Sequence, residues 1–84
     1  MKPWYVYILR CADDTLYTGI TNDLEMRLRT HAEGRGAKYT RGRLPVELLY
    51  REQATSRGEA TRREMAIKRL PRQGKLALVG GQGG

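Results

Sequence analysis

The sequence predicts one α+β domain in which a small three-stranded, mostly antiparallel sheet is flanked by helices, in the order β-β-α-β-α with an optional further helix. Three observations lead to this prediction. Two apolar runs rich in aromatic and β-branched residues are separated by a short polar connection, which is typical of a hairpin. Two later segments open with helix-capping spacings, and a third apolar run lies between them.

The first two strands are predicted over residues 4–9 and 15–20, joined by a polar turn. Side chains alternate between the two faces of a strand. Tyr7 therefore shares a face of its strand with Leu9. Whether Tyr7 and Tyr17 face the same side depends on the pairing register, which the residues alone leave open.

The first helix is predicted over residues 23–33. Asn22, followed three residues later by Glu25, resembles a capping pair. Gly34 is a natural stop, because glycine readily adopts the left-handed conformation that ends many helices. Residues 34–43 then form a loop with four cationic side chains and no acidic one.

A third strand and a second helix complete the predicted core. The strand is expected over residues 46–50. Ser56 and Glu59 have the spacing of a capping box, which opens a helix over residues 57–70. Pro71 ends this helix, because proline cannot continue it.

The C-terminal residues are predicted from their composition. Residues 72–79 are expected to form a short further helix, weakened by Gly74, and residues 80–84 a disordered glycine-rich tail. The folded domain is therefore predicted to be residues 1–79, and the chain of 84 residues has room for one core.

Charge is the strongest signal in the composition. The chain has 16 Lys+Arg against 9 Asp+Glu, a net charge of +7, and arginine outnumbers lysine three to one. The planar fork of arginine suits phosphate, so the composition favours nucleic acid as a partner. A basic protein without such a partner remains the alternative on charge alone.

Cysteine and histidine are too scarce for several kinds of site. Cys11 is the single cysteine, so an intramolecular disulfide is excluded, and with one histidine a zinc cluster lacks ligands. A reducing, cytoplasmic location is expected. The N-terminal apolar run ends at Arg10, which is too short for a secretory signal, and no run approaches the roughly 20 residues of a membrane span.

The ordered set of motifs resembles the GIY-YIG nuclease superfamily over residues 4–79. The likeness is greatest to its small stand-alone bacterial members, and it extends to the nuclease domain of structure-specific flap endonucleases. The motifs are Tyr5-Val6-Tyr7, Tyr17-Thr18-Gly19, residues 22–28 with His31, residues 36–40, and residues 59–68. No single triplet is specific, whereas the full order is. Tyr5 stands where the family name has glycine.

The resemblance implies a role for each matching residue. Glu64 matches the metal-binding carboxylate and Arg27 the catalytic arginine. Tyr17 matches the tyrosine that acts as general base or positions water, and Tyr7 and His31 match supporting residues of the catalytic pocket. The implied cofactor is Mg²⁺ or Mn²⁺.

Elementary chemistry agrees with these roles and limits two of them. Glu64 alone cannot enclose a metal, so the free protein should bind Mg²⁺ weakly and rely on substrate oxygens. Tyr17 has a reference pKa near 10, so service as a base near pH 7 needs help worth ~3 units, or roughly 4 kcal/mol. A neighbouring Arg27 and a metal would both favour the phenolate.

Each of these residues also has a purely structural interpretation. Tyr7 and Tyr17 could be core residues of their strands. Arg27 and His31 could be solvent-exposed helix residues, and Glu64 could pair with Lys68 one turn later. The joint placement of all of them is what these separate interpretations explain poorly.

A basic and aromatic surface is expected to grip the nucleic acid backbone. The loop supplies most of it, with tyrosine available to stack on a base. The predicted nucleic-acid-binding residues are Arg35, Lys38, Tyr39, Arg41, Arg43 and Lys68. Nothing resembles a base-reading helix, so recognition by shape is expected over recognition by sequence.

The predicted function is a metal-dependent DNA endonuclease that hydrolyses phosphodiester bonds, with structure-specific action on branched or single-stranded DNA in repair or recombination. The alternatives are a catalytically weak nucleic-acid-binding module of nuclease ancestry and a basic accessory protein that binds RNA or another protein. A protein partner for targeting is expected because the domain is small, and no membrane association is expected.

Overall fold

A three-stranded antiparallel sheet organises the computed structural model, which describes residues 2–82. The strands are β1 (Trp4–Arg10), β2 (Leu16–Thr21) and β3 (Glu47–Ala54), and β1 lies in the centre. The helices are α1 (Leu24–Ala32), α2 (Lys38–Arg41), α3 (Arg57–Lys68) and α4 (Arg72–Gln82). The predicted fold class is confirmed.

The hairpin register places both motif tyrosines on one face. Tyr7 pairs with Gly19, and Leu9 pairs with Tyr17, in the antiparallel ladder between β1 and β2. Directly paired residues point the same way and Tyr7 shares its face with Leu9, so Tyr7 and Tyr17 are diagonal neighbours on the same face. This settles the register that the residues alone left open.

Two small cores cover the two faces of the sheet. Val6 and Ile8 are fully buried on one face with Ala60 and Ile67 of α3. The other face carries Tyr7, Leu9 and Leu24, where Leu24 begins α1. The central strand is therefore buried on both faces, and its alternation separates the two cores.

The caps of α1 differ in part from the prediction. The N-cap is Asp23 rather than Asn22, and its carboxylate accepts a hydrogen bond from the Met26 amide at 3.2 Å. The predicted stop is correct, since Gly34 has φ of 78°. The amide of Gly34 bonds to the His31 carbonyl and that of Arg35 to the Thr30 carbonyl, which is the Schellman arrangement.

Pairing and packing extended or shifted several other elements. Helix α2 interrupts the predicted loop over residues 34–43. Strand β3 runs to Ala54 rather than ending at residue 50, because its polar second half pairs with β1. Helix α3 ends at Lys68, two residues before the predicted end.

Helix α4 continues through Gln82, so residues 80–82 are helical where a disordered tail was expected. Leu78 of α4 packs against the core around Val6, which anchors the helix. Gly83 and Gly84, the rest of the expected tail, lie outside the described residues, and the domain boundary at residue 79 stays a prediction. Between residues 2 and 82, every helix is too short or too polar to cross a lipid bilayer.

Candidate active site

Three aromatic rings meet on the α1 side of the hairpin. The Tyr7 and Tyr17 ring centroids are 6.4 Å apart, and His31 lies 5.8 Å from Tyr7 and 5.5 Å from Tyr17, edge-on to both. Tyr7 and His31 are fully buried, whereas Tyr17 is partly exposed. Such tilted and edge-to-face contacts are the favourable ones for aromatic rings.

A chain of buried hydrogen bonds fixes the imidazole. The Tyr7 hydroxyl lies 2.9 Å from His31 Nε2, and His31 Nδ1 lies 3.0 Å from Thr40 Oγ1. The Thr40 hydroxyl donates to the Ala37 carbonyl at 2.9 Å, so its oxygen accepts from Nδ1–H. Nε2 is then the unprotonated nitrogen, and Tyr7 donates to it. His31 is thus a buried, neutral residue, in contrast to the surface histidine that its helix position also allowed.

Two glycines give these rings their space. A Cβ on Gly19 would lie 2.6 Å from the Tyr7 hydroxyl oxygen, and a Cβ on Gly36 would lie 2.2 Å from His31 Nδ1. Both distances are too short for any side chain, so each glycine backbone forms part of the wall around the Tyr7–His31 pair.

Arg27 connects the two tyrosines. Its pKa is raised above the ordinary arginine value chiefly by a hydrogen bond with the Tyr7 hydroxyl, and more weakly by interactions with Tyr17. The guanidinium can only donate, so the Tyr7 oxygen accepts from Arg27 while its proton goes to His31. The hydrogen-bond donors therefore run in one direction, from Tyr7 through His31 and Thr40 to the Ala37 carbonyl, with Arg27 next to the Tyr7 oxygen.

Burial moves the pKa values of Tyr7 and His31 in opposite directions. Desolvation raises the pKa of Tyr7 to about 12, although Arg27 opposes the shift. Desolvation, together with the charge of Arg27, lowers the pKa of His31 below its ordinary value. Near neutral pH, Tyr7 is therefore a phenol and His31 an uncharged imidazole.

Glu64 approaches the same place from α3, which packs across β1 and the edge strand β2. Its side chain is 18% exposed, and its charge contributes to the raised pKa of Tyr7. Glu64 also pairs with Lys68 at 3.4 Å, one turn later. Within residues 2–82, no group of three His, Cys, Asp or Glu side chains is placed to hold a metal.

His31 provides a pH test of this arrangement, because it is the single histidine of the chain. Its lowered pKa means that, as pH falls below ~6.5, the unfolded chain gains a proton that the folded chain does not. We expect the free energy of unfolding to decrease below ~pH 6.5, by up to ~1.4 kcal/mol per unit, and to be flat just above it. Denaturant titrations of wild type and His31→Gln check this, since the variant should lose that slope. Equal slopes in the two proteins would contradict the buried neutral imidazole.

Comparison with known families decides the affiliation. The family model described as the GIY-YIG catalytic domain matches residues 3–77.

The chain belongs to the GIY-YIG family.

Relatives of this GIY-YIG chain agree with that assignment. It is 56% identical over 81 residues to a UPF0213 protein of Nitratidesulfovibrio vulgaris, covering 96% of this chain and 74% of that protein. It is 57% identical over 75 residues to a UPF0213 protein of Oceanobacillus iheyensis, covering 89% and 87%. These are small bacterial proteins without a large appended region, as the resemblance implied.

Solved structures of GIY-YIG relatives have the same fold. The solution NMR structure of a UPF0213 protein from Bacillus halodurans matches with a TM-score of 0.63 at 48% identity, covering 98% of this chain and 87% of that one. A solution NMR structure from E. faecalis matches with a TM-score of 0.61 at 43% identity, covering 89% and 80%. The family is one of nucleases, so nucleic acid is the substrate class.

The cationic residues predicted to bind nucleic acid fall into two groups in this GIY-YIG domain. Arg35 pairs with Glu33, Arg43 pairs with Asp13 at 3.0 Å, and Lys68 pairs with Glu64. Lys38 and Arg41 lie on α2 and have no ion-pair partner among residues 2–82. The two α2 cations are thus more available to a phosphate than the other three.

Tyr39 connects the basic surface to the tyrosine pair. Its ring stacks on Tyr17 at 6.0 Å, and the Arg43 guanidinium lies 4.1 Å from the centroid of its ring. A cavity of about 240 Å³ opens beside this stack, with Lys68 and Lys75 among its lining residues. One outer side of the tyrosine pair is therefore aromatic and cationic.

Sequence reasoning missed two supporting residues of the GIY-YIG site. Thr40 and Gly36 both belong to a motif that was recognised, but neither received a role. In the sequence, these two residues are a threonine and a glycine in a cationic segment. Such residues are common in loops, so they carry no specific signal. Only the folded chain brings them against His31.

Proposed function

We propose that this protein is a metal-dependent DNA endonuclease in which Tyr17, Arg27 and Glu64 act on one phosphodiester. The observation that carries the proposal is the convergence of charged groups on the tyrosine pair: Arg27 interacts with Tyr7 and Tyr17, and Glu64 acts on the same Tyr7 hydroxyl. An arginine bound mainly to phenols keeps its full charge for an incoming phosphate.

The donor set fits Mg²⁺ or Mn²⁺ shared with the substrate. Magnesium keeps several waters and takes one or two protein carboxylates together with substrate phosphate oxygens. Glu64 supplies one carboxylate at a site that is 18% exposed, so it would be the protein ligand. When bound, the metal polarises the phosphate and lowers the pKa of a bound water. Lys68 would release Glu64 and face the phosphate instead.

The protein groups divide the remaining work. Arg27 binds the phosphate and offsets the charge that grows on its oxygens. The phenol of Tyr17, at the partly exposed end of the aromatic cluster, orients the attacking water or accepts its proton. Tyr7 stays protonated, because its pKa is about 12, and holds Arg27 in place. His31 holds Tyr7 through Nε2.

Substrate recognition falls to the α2 surface. Lys38 and Arg41 would contact phosphates. A base that leaves the duplex would stack on the half-exposed ring of Tyr39 in place of the Arg43 guanidinium. Further phosphate contacts would come from Arg35, Arg43 and Lys68 after their ion pairs with carboxylates break. Such a surface favours branched or single-stranded DNA, in repair or recombination, with a protein partner for targeting. A cytoplasmic location remains the expectation from the single cysteine.

The test is nicking of supercoiled plasmid, flap DNA and junction DNA with Mg²⁺ or Mn²⁺, and with a chelator. Glu64→Gln should lower the rate by about 100-fold or more, because the carboxylate holds the metal. Glu25→Gln is the matched control, because Glu25 is an exposed carboxylate on α1. This variant should cleave as fast as wild type. Nicking that survives Glu64→Gln or the chelator would refute the mechanism. Tight DNA binding without any cleavage would favour the weak-nuclease binding module.

A further inference from the structure

A second cationic cleft is lined by Arg27 and by none of the tyrosines of the stack. It has a volume of about 300 Å³ and is formed where β1 begins and β2 ends. The described residues that line it include two arginines and no acidic residue. They are Trp4, Ile20, Thr21, Asn22, Arg27 and Arg57. The cleft therefore shares Arg27 with the proposed active site.

Arg57 lies against an aromatic ring in this cleft rather than against a carboxylate. Its guanidinium carbon lies 5.8 Å from the centroid of the Trp4 ring, within the range of a cation–π contact. Among residues 2–82 it has no ion-pair partner, in contrast to Arg35, Arg43 and Lys68. A guanidinium with uncompensated charge beside an aromatic ring suits an anionic group of the substrate.

Helix α3 aligns Arg57 with Glu64. The two residues are seven apart on α3, which places them on one side of the helix, about 10 Å apart along its axis. That separation corresponds to about three nucleotides at the ~3.4 Å rise of stacked DNA. A strand whose reacting phosphate lies between Arg27 and Glu64 would bring another of its phosphates to Arg57.

We propose that Arg57 is a second phosphate subsite, which binds a phosphodiester of the same strand near the one that is cleaved. The proposal rests on the proposed endonuclease function, since it uses Arg27 and Glu64 as the reacting end of the groove. Trp4 contacts the guanidinium, and Asn22 adds an amide that can donate to the same anion. Arg57 contributes to binding and register rather than to the chemical step.

The first arm of the test measures binding without cleavage. Fluorescent single-stranded and flap oligonucleotides are titrated at several salt concentrations, with chelator present and in the Glu64→Gln background. Adding Arg57→Gln should weaken binding about tenfold and make the slope of log K against log salt less steep by about 0.7 to 0.9. Arg29→Gln is the control, because Arg29 is an exposed arginine on α1, and it should leave both values close to those of the parent. Thermal unfolding confirms that each variant is folded.

The second arm locates the phosphate. Single methylphosphonate linkages are placed one to four nucleotides either side of the cleavage point; where the protein does not cleave, the linkages are scanned along the oligonucleotide instead. At one position the neutral linkage should weaken binding of the parent and leave Arg57→Gln unaffected. Equal losses in the two proteins at every position, or equal losses for Arg57→Gln and Arg29→Gln, would overturn the subsite.

The two proposals can fail separately. If wild type never cleaves but Arg57→Gln still weakens binding and reduces the salt slope, the subsite stands and the nuclease proposal fails. If wild type cleaves and the cleavage depends on Glu64, but Arg57→Gln binds as its parent does, the nuclease proposal stands and the subsite fails. In an active enzyme, Arg57→Gln should raise KM and leave the single-turnover rate at saturation within about twofold.

Discussion

Gly36→Ala is expected to lower the melting temperature by on the order of 15 °C and to remove cleavage activity. A Cβ at this position would lie 2.2 Å from His31 Nδ1 and 2.8 Å from two ring carbons. His31 is fully buried with both nitrogens hydrogen-bonded, so it has no free direction in which to move. Overpacking costs about 1–3 kcal/mol, and each buried hydrogen bond that is lost adds about 1–3 kcal/mol.

The size of the melting shift follows from the size of the domain. For a domain of this length, each kcal/mol changes the melting temperature by roughly 4–8 °C. Displacing His31 would also free Tyr7 and with it Arg27, so activity should fall even where folded protein remains. Calorimetry or circular dichroism together with the nicking assay measures both effects.

Gly42→Ala is the matched control for this prediction. Gly42 follows α2 in the same cationic segment, has φ of −92°, and has open space where a Cβ would be. Its replacement should change the melting temperature by no more than a few degrees, because alanine mainly restricts the unfolded chain. If Gly36→Ala has the same melting temperature as Gly42→Ala and remains active, the imidazole is not held against Gly36 as described.

Arg27→Ala is expected to lower the single-turnover cleavage rate by about 10²–10³-fold while the protein stays folded. The loss is that of one charged donor aimed at a developing oxyanion. Arg27→Lys should recover only part of the rate, because lysine keeps the charge but lacks the fork that reaches a phosphate and two hydroxyls together. Quenched-flow or gel-based cleavage of a labelled flap substrate measures the rates.

Arg29→Ala is the control for Arg27→Ala. Arg29 lies on α1, is exposed and pairs with Glu25 at 3.8 Å, so its removal should leave the rate near that of wild type. If Arg27→Ala and Arg29→Ala cleave equally well, Arg27 has no part in the reaction. If both fail, the effect belongs to general binding charge rather than to the site.

The sequence was most informative where the local pattern and the packing agree. Alternation in β1 correctly placed Tyr7 and Leu9 on one face, and the structure buries Val6 and Ile8 on the other. Gly34 was correctly assigned as the end of α1, because a left-handed residue there is nearly always glycine. The family assignment followed from the order of motifs along the chain.

The sequence was less informative where contacts between distant segments decide. The register that brings Tyr7 and Tyr17 to one face depends on pairing between two strands, and composition carries little of that information. The bond between His31 and Thr40 needs α2, a helix of four residues inside a cationic segment. Similarly, only the folded structure shows that Arg43 and Lys68 form ion pairs. The sequence therefore did not show which cationic side chains are free to bind phosphate.

The most direct test of a single active site is the single-turnover cleavage rate of the double variant Arg27→Ala with Glu64→Gln. If both residues act on the same phosphate, the double variant should cleave no more than about tenfold more slowly than the slower single variant, because groups that act as a unit are not additive. If the fold-loss in rate of the double variant equals the product of the two single fold-losses, the two residues do not share a site. Cleavage by the double variant at the wild-type rate would show that the reaction takes place elsewhere.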